Sequence, residues 1–424
     1  MKLRSLLLVA MLSVLLSVLG WGGAAASSEA GPLDPADLAI YYGWPSLVNG
    51  AQNNTAAAAV FGQYDVVIFN QGLEEPPHGD HTNTKAIIQL LHANYSTKVF
   101  GYINGPQWNT SWTVTSMPPT NWQGHLDLWV AMGVDGIFID EFGYDWGPTR
   151  VTQNAMLDAV HARGLPAFVN SWFIDHTFSS APDPVFPAGN PNSIPSHIGS
   201  TDLYLLESFT IIEGRYDQCA RPIFDTWVTK ADKALRYRQT FGTKMWAMTT
   251  ADQLTANALD AGEVAAEERL SFAWHATAMV GLNGFGWTEP QFSASGSSQN
   301  LLPWRLRPDP NPPVGIGTRY LNDVQHNGDT HTRNTDTGQF RVVCNDTANI
   351  HTAQFTPAPC TLAPYDFDGN GVIDIVDIAQ VTSRFMDPAR YEVRYDVAPA
   401  GQPDGVIDIL DIAAVASRFG QTCP

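Results

Sequence analysis

Residues 133–145 read GVDGIFIDEFGYD, an apolar run that ends on two adjacent carboxylates, Asp140 and Glu141, before the chain turns through Gly143. Gly136–Glu141 has the length and composition of a strand buried on both faces, the kind a parallel sheet covered by helices contains. Outward from it, similar short apolar runs lie at Leu38–Tyr42, Asp65–Asn70 and Lys98–Asn104 on one side. Pro166–Trp172, Asp202–Phe209, Lys244–Thr250 and Leu282–Thr288 follow on the other. Amphipathic spacing predicts helices between several of them, over Thr84–Ala93, Trp122–Met132, Gln153–Arg163, Thr226–Phe241 and Ala261–Met279. Eight strands with crossover helices predict an α/β chain whose residues 34–300 form a (β/α)8 TIM barrel. The competing architecture is an open doubly wound sheet, but no Gly-rich phosphate turn follows the first strand.

A barrel builds its site at the C-terminal ends of its strands, so polar and aromatic residues should gather there. Tyr42 and Trp44, Asn70, Tyr102 and Asn104, Asp140 and Glu141, Asn170 and Trp172, Glu207, Trp246 and Trp287 all fall late in their strands or just beyond. Any one of them is also explained as a strand-end residue meeting water. Their recurrence at one end of so many units points to a site. Side chains alternate along a strand, so if Phe138 faces the barrel interior Asp140 does too, and Glu141 begins the loop. Cleavage of a glycosidic bond needs a second carboxyl group, and Glu207 at the end of LYLLESF is the leading candidate. Asp140 as a helix cap and Glu207 paired with Arg215 or Arg221 are the structural alternatives. Asp145 and Asp175 read as solvated loop acids. Around the two carboxylates, tryptophans suit stacking on sugar rings and asparagines suit hydrogen bonds to their substituents.

The chain opens with Lys2 and Arg4, an apolar run from Leu6 to Leu19, and Ala24-Ala25-Ala26. This is the pattern of a secretory signal peptide over residues 1–26. A membrane anchor is the alternative, but the run is short, interrupted by Ser13 and Ser17, and not followed by basic residues. No later stretch is long and apolar enough to span a bilayer, so a secreted, extracellular protein is expected, with attachment to a cell surface left open. The formal net charge of -19 argues against nucleic acid as a partner, because nothing would neutralise its phosphates. It is compatible with a neutral or cationic polymer. Four cysteines, Cys219, Cys344, Cys360 and Cys423, allow three full pairings in an oxidising compartment, and proximity favours Cys344 with Cys360. No zinc-ligand spacing such as CxxC or HExxH is present, and catalysis is expected to need no cofactor.

Beyond the barrel, residues 301–356 include the strand-like QFRVVC (339–344) and His351–Phe355, read as a small β appendage without chemistry. A linker at Thr356–Pro359 leads to a repeat over residues 362–424: DFDGNGVIDIVDIAQVTSRF (366–385) against PDGVIDILDIAAVASRFG (403–420). The first copy sets Asp366, Asp368, Asn370, Asp374 and Asp377 at loop positions 1, 3, 5, 9 and 12, with Gly371 at 6 and the Val372 carbonyl at 7. Oxygen ligands at that spacing converge on a hard cation, so Ca2+ is expected there. The second copy departs from that spacing, with extra residues between Asp396 and Asp404, Asp408 and Asp411, and is a second candidate for Ca2+.

Two resemblances follow from these residues. The repeat, with aspartate at loop position 12, resembles type I dockerin modules, which implies docking to a cohesin-like partner on a scaffold or cell surface. The succession YYGWP, VFGYIN, VDGIFIDEF, FVNSW and LLESF resembles the spherulin-like and endo-α-1,4-polygalactosaminidase barrels of glycoside hydrolase families 135 and 114, over residues 38 to 290. That resemblance implies endo-hydrolysis of galactosamine or N-acetylgalactosamine polysaccharide, with Asp140 as nucleophile, Glu207 as acid/base and Glu141 and Asn170 in support. The insertion at 173–200, the Trp-rich loop at 108–122 and the repeat depart from the family pattern. A non-catalytic extracellular carbohydrate-binding protein and an endo-glycosidase of another glycan are the alternative functions.

Overall fold

The computed structural model describes residues 31–109, 121–211, 216, 225–250, 259–288, 300–308, 315–358, 362, 364–368, 371–399 and 403–422. The expected signal peptide, Asn370, Cys219, Cys360 and Cys423, and Arg215 and Arg221, lie outside them.

Eight parallel strands form the barrel: β1 (Ala36–Tyr41), β2 (Val66–Phe69), β3 (Lys98–Asn104), β4 (Gly136–Asp140), β5 (Ala167–Asn170), β6 (Leu203–Leu206), β7 (Lys244–Thr250) and β8 (Gly284–Thr288). They pair in chain order, and β1 pairs with β8, so the sheet closes. Closure settles the choice against an open sheet and removes both unpaired edges. The helices between them are α1 (Asn54–Phe61), α2 (His81–Asn94), α3 (Trp122–Met132), α4 (Arg150–His161), the short α5 (Ile174–Phe178), α6 (Trp227–Phe241) and α7 (Leu259–Val280). Asn53, Asn121, Thr149 and Thr226 cap α1, α3, α4 and α6 by accepting a backbone N–H of the first turn, the role short polar side chains fill at that position.

The barrel interior is filled by side chains of one parity: Phe100, Phe138, Phe168 and Trp246 form a chain of ring contacts, with Phe168 5.5 Å from Phe138 and 5.8 Å from Trp246. Strand β8 contributes no bulk to that interior. Gly284 has no room for a Cβ, which would meet the Trp246 indole at 1.8 Å, and at Gly286 a Cβ would meet Trp304 at 2.6 Å. Trp246 and Trp304 therefore occupy space that β8 leaves vacant. Trp304 belongs to a two-residue strand β9 (Trp304–Arg305), antiparallel to β8.

The appendage is a four-stranded antiparallel sheet, β10 (Gln325–Asn327), β11 (Thr330–Asn334), β12 (Gly338–Asn345) and β13 (Ile350–Pro357). Phe340, Val342 and Cys344 of β12 are buried in the same apolar core as the barrel. Arg333 donates to the carbonyls of Met279 (3.1 Å) and Val280 (2.8 Å), placing a cation at the C-terminus of α7, where the helix dipole favours one. That end of α7 leads into the start of β8, while the ring of His331 in β11 meets that of Trp227 at the start of α6 at 5.1 Å, so the appendage lies along the outer side of these helices. Cys344 is disulfide-bonded.

The C-terminal repeat has its own apolar cluster, Tyr365, Ile373, Val381, Tyr395, Val397, Ile407 and Val415. Its helices are α8 (Ile375–Thr382) and α9 (Ile409–Ala416), each opened by a capping box, Asp374 with Asp377 and Asp408 with Asp411. Among the described residues no helix is long and apolar enough to cross a membrane.

Candidate active site

The register of β3, β4 and β5 brings the site together. Asn104 pairs with Asp140 across β3 and β4, and Phe138 pairs with Phe168 across β4 and β5, so Asp140 and Asn170 fall at the same height two residues on. Asn170 in turn pairs with Leu205 of β6, and Glu207 stands two residues past Leu205 on the same parity. Gly105 lets the end of β3 lie close to β4, since a Cβ there would meet the Asp140 carbonyl oxygen at 2.9 Å.

The Asn170 amide nitrogen donates to Asp140 Oδ1 at 3.0 Å and to Glu207 Oε2 at 3.0 Å. Two acceptors on one NH2 group, with its N–H directions ~120° apart, stand about 5 Å from each other. Asp140 also accepts from the Tyr102 hydroxyl at 2.7 Å and from the Glu141 amide at 2.9 Å. Glu141 turns away from it and accepts from Asn104 Nδ2 at 2.7 Å. The backbone changes direction sharply after both acids: Glu141 has φ 53° and Ser208 φ 52°, left-handed conformations in residues other than glycine. Each costs of order 1 kcal/mol or more and is held by the surrounding structure, a feature that clusters at functional sites.

Burial pushes the Glu207 carboxyl above its ordinary range; the Asn170 hydrogen bond and Lys230 oppose the rise, and Asp140 adds to it. Glu141 is raised as well, first by burial and then by Asp140 and Asp145, against the Asn104 hydrogen bond. The Tyr102 phenol is pushed far up by burial and the Asp140 charge, so it stays a donor. Lys230 of α6 lies under Glu207, donating to its backbone carbonyl at 3.3 Å, with its ammonium 5.0 Å from the centre of the Trp172 ring.

These groups line an open cleft at the strand C-termini, walled by Ile40, Tyr42, Phe138, Asp140, Glu141, Trp146, Asn170, Trp172, Leu205, Glu207 and Met248, with an empty volume of about 910 Å³ including its open mouth. Of the residues expected at the rim, Tyr42, Asp140, Glu141, Asn170, Trp172 and Glu207 meet there. Tyr102 and Asn104 stand behind them as donors. Asn70 holds the wall, donating to the Tyr42 carbonyl at 3.2 Å. Trp44 is 46% exposed and packs against His78, outside the cleft lining. Trp246 and Trp287 are corrections. Trp246 is the third residue of its strand and fills the interior beside Gly284, well below the mouth. Trp287 lies on the parity opposite the interior-facing Gly284 and Gly286 and is 0% exposed. Trp146, 55% exposed, was missed although it stands five residues past Glu141. Lys230 carried no signal, because a lysine on an amphipathic helix reads as solvated.

In the repeat, Asp366, Asp368 and Asp377 each place a carboxylate oxygen within 4.8 Å of the others. Backbone amides enclose them: Gly371 donates to Asp366 at 2.9 Å and Phe367 to Asp377 at 2.7 Å. The second loop repeats the scheme despite its insertion, with Gly405 donating to Asp396 at 2.7 Å and Val397 to Asp411 at 2.6 Å. Gly371 and Gly405 have φ 82° and 89°, values that suit glycine. Val372 and Asp404 sit in their loops, and Asp374 and Asp408 serve as N-caps.

No family model matches the chain, and no curated protein does. Among solved structures it is similar to an endo-β-N-acetylglucosaminidase from Cordyceps militaris, at 14% identity over 63% of this chain and 86% of that one, TM-score 0.37. It is also similar to dihydropteroate synthase from Stenotrophomonas maltophilia, at 15% identity over 63% of this chain and 91% of that one, TM-score 0.33. A third likeness is to dihydrodipicolinate synthase from Agrobacterium tumefaciens, at 11% identity over 61% of this chain and 70% of that one, TM-score 0.31. The three are proteins of unrelated chemistry, and scores this low carry no argument about what this chain does.

Proposed function

We propose that the protein is a secreted endo-glycoside hydrolase that cleaves a galactosamine or N-acetylgalactosamine polysaccharide by a retaining mechanism. The observation that carries the reading is the single amide nitrogen of Asn170 bonded to both Asp140 and Glu207. A separation near 5 Å is what a retaining pair requires, whereas an inverting pair stands ~6.5 to 9.5 Å apart to admit a water. Glu207, raised by burial, holds its proton to higher pH than an exposed carboxyl and gives it to the glycosidic oxygen as that bond breaks. Asp140, fixed by three donors, attacks the anomeric carbon from the opposite side and forms the glycosyl-enzyme bond. Glu207, now a carboxylate, takes a proton from water, which displaces Asp140 and releases the sugar with its configuration kept.

The wall chemistry supports an amino sugar. Asp140, Glu141 and Glu207 line the cleft, and among the described lining residues there is no lysine or arginine, Lys230 lying beneath Glu207, so a cationic, deacetylated unit meets favourable charge. Trp146 and Trp172 offer faces for sugar rings. The repeat is read as a calcium-loaded, dockerin-like module that attaches the enzyme to a cohesin-like partner. Its support is duplication: Ile375 and Val376 after one N-cap and Ile409 and Leu410 after the other are all exposed apolar residues at matching positions.

The test is a reducing-end assay on partially deacetylated and fully acetylated galactosaminan, with the wild type, Asp140→Asn and Glu207→Gln. Each substitution is expected to lower kcat/KM by ~10³-fold or more while leaving the unfolding temperature within a degree or two. Retained activity in either variant removes that residue from the chemistry. Binding of the polymer by the wild type without new reducing ends would favour a non-catalytic carbohydrate-binding protein.

A further inference from the structure

A second group of titratable side chains lies apart from the cleft lining, under the loop that follows β2. Glu74 and Glu75 sit in the turn after that strand, and His125 sits in the first turn of α3. All three are buried, at 0%, 1% and 0% exposure. Each offers a ligand atom, and these three atoms lie within 4.8 Å of one another. His125 Nδ1 and Glu74 Oε1 are 2.7 Å apart, while Glu74 Oε2, equally buried, has no hydrogen-bond partner among the described residues.

The unsatisfied oxygen decides what such a cluster needs. Protonating Glu74 would turn an unpartnered acceptor into an unpartnered O–H donor in the same buried position. A divalent cation held among the three ligand atoms instead takes up the orphaned oxygen and favours two carboxylates gathered on one imidazole. The nitrogen ligand sets the class, since calcium and magnesium prefer oxygen alone, whereas first-row transition ions accept imidazole with carboxylate.

We propose that Glu74, Glu75 and His125 form a structural site for a divalent first-row transition-metal ion, such as zinc. The ion takes the place of the proton shared by His125 and Glu74 and ties the β2 loop to the start of α3. That tie bears on the cleft from behind: Trp122, one turn before His125, donates its indole N–H to the Asn104 carbonyl at 3.2 Å, and Asn104 holds Glu141. The site is distinct from the calcium loops in sequence and in ligand chemistry, and it stands whether or not the cleft cleaves sugar. A purely structural Glu–His hydrogen bond is the rival explanation.

The experiment uses the full chain with millimolar calcium, so that the C-terminal loops are saturated before any other metal is offered. Zinc retained after exhaustive dialysis is measured by mass spectrometry, and cobalt is titrated with its visible absorption as a probe of nitrogen and oxygen ligation. The wild type is expected to retain one zinc per chain and to give a cobalt band. His125→Asn keeps an N–H donor for Glu74 but loses the imidazole, and Glu75→Gln leaves the His125–Glu74 bond untouched; both are expected to weaken zinc binding by at least ~100-fold. Zinc should raise the unfolding temperature of the wild type and leave those of the variants unmoved. A wild type that retains no zinc, or a His125→Asn variant that binds it equally well, overturns the proposal. Should one variant fail to fold, the wild-type zinc content and thermal shift decide by themselves.

Discussion

At the barrel mouth and in the C-terminal repeat, carboxylates stand closer together than their charges favour, and the two regions resolve this differently. Asp140 and Glu207 come from different strands, and a side-chain amide between them supplies both with a hydrogen bond. Asp366 and Asp377 come from one loop, and backbone amides of that same loop supply them. A side-chain donor anchored on β5 holds its acids from one side and leaves the cleft open for a substrate. A loop that turns its own amides onto its acids brings three carboxylate oxygens within 4.8 Å of one another. The difference teaches that a candidate metal loop is read from the spacing of acids in sequence, whereas a candidate catalytic pair is read from strand parity and register.

The largest expected effect breaks the comparison on the side of the repeat. If an ion balances Asp366, Asp368 and Asp377, depleting calcium at constant buffered free zinc removes stabilisation of about 4 kcal/mol at calcium concentrations ~1,000-fold above Kd. A module with seven buried apolar residues in its cluster among those described has little else to replace that, so residues 364–422 should lose amide protection in hydrogen exchange. The barrel should keep its protection and its cleavage rate. Equal protection of the repeat with and without calcium would show that the backbone amides alone suffice.

The next effect acts at the mouth. Asn170→Ala removes the donor shared by the two acids and leaves them facing each other, so kcat/KM should fall by ~10²-fold, about 2.7 kcal/mol. The pH profile gives a second readout. If Glu207 is the acid it acts protonated, so activity falls as pH rises through its pKa, and the Asn170 bond holds that pKa below the level burial alone would set. Losing the bond raises the pKa further, and the basic limb of kcat/KM should move to higher pH. An unmoved limb would mean that Glu207 is not the acid.

Much of this was legible before the fold was seen. Apolar runs located all eight strands to within a few residues, and β3 and β7 match their expected bounds at both ends. Asp140, Asn170 and Glu207 were legible because each stands two residues beyond an inward-facing apolar residue, and parity survives small errors of register. Trp246 and Trp287 were misread because a tryptophan late in a segment carries no sign of its parity. Only the glycines opposite Trp246 show that the interior was short of volume there. Helix α1 was missed because NTAAAAVF has alanine on every face and no amphipathic period. The group of Glu74, Glu75 and His125 was missed for another reason: its members lie in separate units of the chain, and a histidine on the buried face of α3 resembles any core residue.

The smallest effect tests how alike the two halves of the repeat are. Arg418 near the chain end lies over the Tyr365 ring at 3.9 Å, and Arg384 lies over Tyr395 at the same distance, so each half lends a cation to the other. The exchange is symmetric, but the surroundings are not, since Tyr395 has a second guanidinium, Arg394, 4.4 Å from its centre. Substituting methionine keeps the apolar stem and removes the charge. Arg418→Met should therefore cost ~1 kcal/mol and Arg384→Met about half of that, measured by urea unfolding of the calcium-loaded chain. A double-mutant cycle with Tyr365→Leu isolates the ring contact from the bond Arg418 makes to the Ala414 carbonyl. Arg384 also pairs with Glu392 at 2.9 Å, so the comparison is made in a Glu392→Gln background, where equal costs for the two arginines would mean that Arg394 lends Tyr395 nothing.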